Sequence, residues 1–515
     1  MTYLSNLSSK PPTLSAQEYV RRAIAKASSA GRAGEGGAVK RERTVFQERF
    51  YAAPADFVRE CIRFRDDEQP APYQLEILDA VAGKHRVSAR GLHGLGKTAL
   101  SAWLIWWFAL TRDGWADWKI PITASVWRQV SKFTLPEVHK WARRIDWSAV
   151  GRGMPKVGDE LLTLGLKLST GEAFAVVSDD PTAIEGAHAD EILYVLDEAK
   201  AIPAPTWEAV EGAFSTGEAY ALAISTPGDT GGVFYDIHKR RPGYEDWWTR
   251  HVTTQEAIDA GRVSKEWVDQ RAKQWGRDSA VFKNRVLGEF AEGGTDTLIP
   301  LSWVEASNER WQVCDGKGEG DTALGVDVAR FGDDSTVIAR RVGYVIEALD
   351  YLNQLDTMAV TGAVVLKAKQ NTELPIQVDV IGIGAGVVDR LREQGYKVTG
   401  VNVSESAKTG GGKELTDRSG ELTFVNLRSY LWWMLRDWLD PQNNDLLALP
   451  PDDRLIGDLT APKWKITSAG RIQVESKDDM RKRIGRSTDA ADSVALALLD
   501  PTLLRSGRFE RSDVW

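Results

Sequence analysis

A strand-like run, HRVSAR, leads into Gly91-Leu-His-Gly94-Leu-Gly96-Lys97-Thr98 and then into the apolar, helix-like run ALSAWLIWWFAL. This order constrains the fold more than any other feature, because GxxxxGK[ST] works as a phosphate loop only between a strand and a helix. The glycines let backbone N–H groups close around phosphates at a helix N-terminus. Lys97 would reach the β- and γ-phosphates, and Thr98 would offer its hydroxyl to Mg²⁺.

A second segment, Ile192-Leu-Tyr-Val-Leu-Asp197-Glu198, is an apolar strand ending in two acids. Asp197 would hold the magnesium of bound ATP and Glu198 would orient and deprotonate the attacking water, which favours hydrolysis over nucleotide storage. A third strand, Ala221-Leu-Ala-Ile-Ser225-Thr226-Pro227-Gly228, ends in hydroxyl residues placed to sense the γ-phosphate and couple hydrolysis to movement. Phosphate loop, acidic strand and hydroxyl-ended strand, in that order, belong to the additional-strand group of P-loop ATPases.

At 515 residues the chain exceeds one ordinary core. The composition, 43% hydrophobic and 27% charged, supports two folded domains and excludes wholesale disorder. We expect an N-terminal arm over 1–65, partly flexible, an ATPase domain over 66–255, a helical connecting segment over 256–302, a second α/β domain over 303–500, and a mobile tail over 501–515. Two distant cysteines, Cys61 and Cys314, argue against a disulfide framework or a zinc site. The most apolar stretch, Ala99 to Leu110, is too short to span a bilayer, so the reading is a soluble, cytoplasmic protein. A net charge of −8 would not by itself suggest nucleic acid. One basic cluster, Lys477, Arg481, Lys482, Arg483 and Arg486, could touch DNA or form a solvated helix face paired with Asp478 and Asp479.

The second half presents acids from three separate segments. GVDVARFGDDSTVIA places Asp327 inside an apolar strand, LPIQVDVIGIGAGVVDRL repeats the arrangement with Asp379, and GRSTDAADSVALALLD puts Asp489 and Asp492 on one helix face. A carboxylate in a strand interior is costly unless something binds it. Two-metal phosphodiesterases need such a set, because two Mg²⁺ or Mn²⁺ ions about 3.5–4 Å apart must be held by carboxylates. Asp327 is the expected bridging ligand, with Asp379 and Asp492 completing the site. Asp489 is either a reserve ligand or a cap of the final helix. Asp334 is either an auxiliary acid or part of a simple Asp333-Asp334 turn. The glycines Gly382, Gly384 and Gly386 mimic a dinucleotide fingerprint, but the spacing fails at Val387 and points instead to close chain approach near the acids.

With Tyr73-Gln74 upstream, TASVWRQV after the loop helix and EGAHADEILYVLDEA, the chain resembles the large subunits of tailed-phage terminases. The resemblance implies an α/β chain with an additional-strand P-loop ATPase domain followed by a ribonuclease H/resolvase-like nuclease domain. It places Gln74 against adenine and Ser225-Thr226-Pro227 as the coupling motif. Partners implied are double-stranded DNA, a procapsid portal, a small terminase subunit and further copies of the chain in a ring, working in the host cytoplasm. The arginine many terminases carry inside the loop is absent, which leaves Arg90, Arg128, Arg143 and Arg144 as candidates for stabilising transition-state charge. A helicase-nuclease of repair and a nucleotide-switched DNA clamp without cutting are the alternative readings.

Overall fold

The computed structural model describes residues 42–504 apart from 179–180, 216–217, 292–295, 330–334 and 444–445. Asp333 and Asp334 therefore lie outside the described residues, as do 1–41 and 505–515. The first sheet holds β1 (Arg86–Gly91), β2 (Trp118–Ala124), β3 (Leu161–Leu162), β4 (Gly165–Lys167), β5 (Gly171–Val177), β6 (Glu191–Asp197), β7 (Glu218–Ser225) and β8 (Trp248–Val252). Its order is β3-β4-β5-β2-β6-β7-β1-β8, and β5 through β8 pair in parallel. The hydroxyl-ended strand β7 lies between the phosphate-loop strand β1 and the acidic strand β6, which is the additional-strand arrangement itself.

Parallel strands must be covered on both faces, and this sequence supplies continuous apolar runs for the purpose. All seven residues of β6 are buried. The loop helix, Lys97–Arg112, buries every residue from Leu100 to Arg112, including Trp103, Trp106 and Trp107. Arg112 is wholly buried yet paired with Glu191 at 2.8 Å and enclosed by Tyr51, Trp107 and Phe108.

The expectation of an arm through residue 65 is corrected for its described part. Phe50 and Phe57 join the first core, Trp107 Nε1 donates to the Phe50 carbonyl at 2.7 Å, and Gln47 Nε2 donates to the Asp113 carbonyl at 2.7 Å. The aromatic content of VFQERFYAAPADFV gives this segment enough apolar area to dock rather than hang free.

The second sheet holds β9 (Thr322–Asp327), β10 (Thr336–Val342), β11 (Val345–Leu352), β12 (Ile376–Asp379) and β13 (Val398–Val401) in the order β11-β10-β9-β12-β13. β9, β10 and β11 form an antiparallel meander, while β12 and β13 join in parallel. An antiparallel triplet extended by parallel strands beside its first member is the ribonuclease H-like arrangement. The C-terminal helix, Asp489–Leu498, is buried throughout and lies on β9. Gly325 permits this, because a Cβ there would collide with the Ser493 carbonyl and the Ala497 nitrogen. A small third sheet joins β14 (Thr423–Phe424), β15 (Trp464–Ile466) and β16 (Arg471–Val474). Among the described residues no helix is long and apolar enough to cross a membrane.

Candidate nucleotide and carboxylate centres

The parallel register brings the first centre together at the carboxyl ends of three neighbouring strands. Arg90 on β1 stands opposite Ser225 on β7, and Asp197 on β6 stands opposite Ile224. Gly94 and Gly96 take positive φ values of 86° and 73°, conformations that a side chain resists. They turn the loop from β1 into the helix that starts at Lys97. Thr98 is the next helical residue. Gly91 touches Val252 and Leu95 so closely that a Cβ would not fit.

Asp197 is 1% exposed, and its carboxylate accepts from Thr134 Oγ1 at 2.9 Å, Gln129 Nε2 at 3.3 Å and the Glu198 amide at 3.0 Å. Burial, aided by the neighbouring Glu198 charge, pushes its pKa up. Burial lowers the pKa of Lys97, while the charges of Glu198 and Asp197 oppose that shift. Glu198 has a left-handed backbone, φ 45°, rare for a residue with a side chain. Its Oε2 accepts from Ser225 Oγ at 3.0 Å. Two residues on, Lys200 Nζ donates to Thr226 Oγ1 at 3.3 Å. The acidic strand end and the hydroxyl strand end are thus joined twice.

Gln74 is buried and ties the loop down: its amide nitrogen donates to the carbonyls of Leu95 at 3.3 Å and Gly96 at 3.1 Å, while its oxygen accepts from the Ala71 amide and from Arg262. The four candidate arginines are engaged elsewhere or exposed. Arg90 donates to the Gly288 carbonyl, Arg128 to the Gln312 carbonyl and Arg144 to Glu68, and Arg143 is exposed.

The second centre lies at the carboxyl ends of β9 and β12. These pair in parallel, with Val326 opposite Val378, so Asp327 and Asp379 follow side by side. The C-terminal helix adds Asp492, whose carboxylate accepts from Trp432 Nε1 at 2.7 Å and Thr488 Oγ1 at 3.0 Å. Lys477 Nζ stands between two of the acids, 3.0 Å from Asp327 Oδ2 and 3.1 Å from Asp492 Oδ2. Burial drives the Asp327 pKa up against the pull of Lys477. Burial also opposes ionisation of Asp492, but Arg428 and Lys477 outweigh it and hold that carboxyl below the usual range. Burial disfavours the Lys477 ammonium as well, yet Asp327 and Asp492 keep it firmly protonated.

Asp379 accepts from the Ile381 amide at 3.0 Å and lines a cleft with Arg428, Trp432 and Asp492. A Cβ on Gly384 would strike the Asp379 carbonyl, so close approach is what that glycine provides. Asp489 is turned toward the Ser335 amide at 3.1 Å, Arg454 at 3.4 Å and the Ser487 hydroxyl, contacts that anchor the helix start. Among the described residues no three His, Cys, Asp or Glu side chains close on one point as metal ligands do. An ammonium lies among the acids instead. Their oxygen-only donor set fits a hard divalent cation once that ammonium gives way.

Sequence reasoning did not single out Gln129, Thr134, Lys200, Trp432 or Arg428 as site residues, and it saw Lys477 only as part of a basic cluster. Lys477 carried a signal, since it is the first charge of a run just upstream of the acidic helix; Arg428 and Trp432 carried none beyond an apolar helical pattern.

No family model matches the chain. It is similar to the probable large terminase subunit of Enterobacteria phage P7, 26% identical over 339 residues, covering 62% of this chain and 65% of that protein. The match thus spans slightly less than two thirds of the relative's length. Among solved structures, the large terminase of a thermophilic bacteriophage in complex with ADP is 12% identical, covering 84% of this chain and 99% of that one with a TM-score of 0.38. A mutant nuclease domain of the large terminase subunit gp2 of bacterial virus Sf6, with manganese, is 21% identical over 40% of this chain and 99% of that domain, with a TM-score of 0.34. The chain resembles phage large terminase subunits in its motifs, and the curated relative it matches carries that description.

Proposed function

We propose that this chain is the large subunit of a phage-type terminase. ATP hydrolysis at the first centre would drive double-stranded viral DNA into a procapsid, and the acids of the second would cut concatemeric DNA. The observation that carries this reading is the pairing, in one chain, of a phosphate loop that leaves the sheet at the same strand ends as Asp197 and Glu198 with a carboxylate cluster built by Asp327, Asp379 and Asp492. The likeness to the phage P7 protein supports it. Residues 66–255 form the ATPase, 256–302 the connection and 303–500 the nuclease in this reading.

In the first centre Gly91, Gly94 and Gly96 shape the phosphate cradle and Lys97 meets the β- and γ-phosphates. Mg²⁺ held by Thr98 and Asp197 would neutralise phosphate charge. Glu198 takes the proton of the attacking water, with its carboxylate aimed by Ser225. Ser225 and Thr226 then report the state of the phosphate to the rest of the chain. Gln74 holds the loop carbonyls, so base recognition and loop position would pass through one side chain.

In the second centre Asp327, Asp379 and Asp492 would hold Mg²⁺ or Mn²⁺, with Asp489 in support through the helix start. The ions would supply an activated water and neutralise the leaving oxygen. Arg428 and Lys477 bring fixed positive charge to the same cleft, where a DNA phosphate would enter. Portal, small subunit, a ring of copies and a place in the host cytoplasm follow from the resemblance. A second reading, a nucleotide-switched DNA clamp, is favoured by one observation: Lys477 already neutralises the acids.

Cleavage of plasmid DNA by wild type and Asp327→Ala, in Mg²⁺, Mn²⁺ or EDTA, tests the two readings when ATP turnover is followed on the same samples. Metal-dependent cutting lost only in the variant, with turnover kept in both, supports the terminase. Turnover without cutting under any metal supports the clamp.

A further inference from the structure

The ATPase reading lacks a positive charge for the terminal phosphate beyond Lys97, and the four arginines named from the sequence are held elsewhere or lie exposed. Lys200 is placed differently. It lies two residues after Glu198, inside the short helical turn Ala199–Ala201, and its stem is pressed along Gly228, where a Cβ would come within 3.3 Å of Lys200 Cδ. Its ammonium donates to Thr226 Oγ1 at 3.3 Å and to both oxygens of Glu305 at 3.0 Å. Its charge is felt by Lys97.

Glu305 belongs to the helix Leu301–Val313, which leads from the connecting segment into β9. Arg285 approaches Glu305 at 3.8 Å and also pairs with Asp453 at 3.3 Å. The Arg285 carbonyl accepts from the His93 amide of the phosphate loop at 3.1 Å. The same helix touches the first domain again where Arg128 donates to the Gln312 carbonyl.

Resting on the ATPase reading, we propose that Lys200 reads the γ-phosphate of ATP, and that it does so by exchanging Glu305 for that phosphate. A phosphate has more charge than a carboxylate, and the Thr226 hydroxyl that Lys200 touches follows Ser225, which holds Glu198, so a γ-phosphate at these strand ends competes for the Lys200 ammonium. Glu305, once released, has Arg285 as its remaining cation. The ion pairing of the helix that opens the second domain therefore changes with the nucleotide, which gives hydrolysis a route to the nuclease half through named charges.

The test uses the full chain, with ADP and ATPγS affinities by calorimetry and ATP turnover for wild type, Lys200→Met, Lys200→Arg, Glu305→Gln and Lys97→Ala. Lys200→Met should lose about tenfold or more of its preference for ATPγS over ADP, the span of a charge-assisted hydrogen bond, and should change kcat more than KM, kcat falling. Lys200→Arg should recover part of both. Glu305→Gln should tighten ATPγS and leave ADP unchanged. Equal loss of both nucleotides in Lys200→Met, or an unchanged ATPγS-to-ADP ratio in both Lys200→Met and Glu305→Gln, overturns the role of Lys200 while Lys97→Ala still abolishes binding. A wild type that binds neither nucleotide overturns the ATPase reading and this inference together.

Discussion

Ser225 donates its hydroxyl to Glu198 across 3.0 Å, linking the end of β7 to the acid that follows β6. A carboxylate in a left-handed backbone conformation is aimed by the chain, and the hydroxyl fixes what remains of its freedom. Ser225→Ala should lower ATP turnover about tenfold with KM nearly unchanged, because one charge-assisted hydrogen bond is lost. Glu198→Gln should lower it by about a hundredfold or more, since the proton acceptor itself is gone. Steady-state kinetics on both variants check this, and a raised KM with unchanged kcat in Ser225→Ala would refute the positioning role.

Lys477 offers a second prediction. Its removal leaves Asp327 and Asp492 buried with less neutralising charge, which is destabilising unless a cation replaces it. Lys477→Ala should melt below wild type in EDTA and gain more in Tm than wild type on addition of Mn²⁺. Equal Mn²⁺ shifts in the two proteins would count against a metal entering among these acids.

Trp432 offers a third. Its indole N–H donates to Asp492 at 2.7 Å from a fully buried ring. Trp432→Phe keeps most of the apolar contact and removes the donor, so about 1–3 kcal/mol of stability should be lost in urea unfolding. DNA cutting should fall and ATP turnover should hold. A parallel fall in both activities would mean that the change spreads beyond the second centre.

How much of this was legible depends on sequence distance. The phosphate loop, the acidic strand end and the hydroxyl strand end each occupy a few consecutive residues, and their apolar strands announce the parallel sheet. Asp327 and Asp379 were legible for the same reason, as charges inside apolar strands. Partners drawn from far along the chain were not: Thr134 reaches Asp197, Lys477 reaches Asp327 across 150 residues, and Glu305 reaches Lys200 across 105. No local pattern encodes such pairs; they appear only when topology brings the segments together. The docking of 43–65 was hidden similarly, since glycines and charges just upstream masked an aromatic segment that packs on the loop helix.

The helix Leu301–Val313 allows a prediction about pH. Burial, with Glu305 and Glu198 nearby, pushes the Glu309 carboxyl up to about 7, Lys200 opposing. An unfolded chain would hold this proton only below about 4.3, the free glutamate value. The native state therefore binds more protons between those limits, and stability from this group is full below the lower limit and lost as pH rises through the upper one. Glu309→Gln removes the burden of a charged buried carboxyl. Its Tm should match that of wild type at pH 5 and exceed it at pH 8. If the variant were instead less stable at pH 8, the Glu309 carboxylate would have to be a favourable partner of Lys200, sharing that lysine with Glu305.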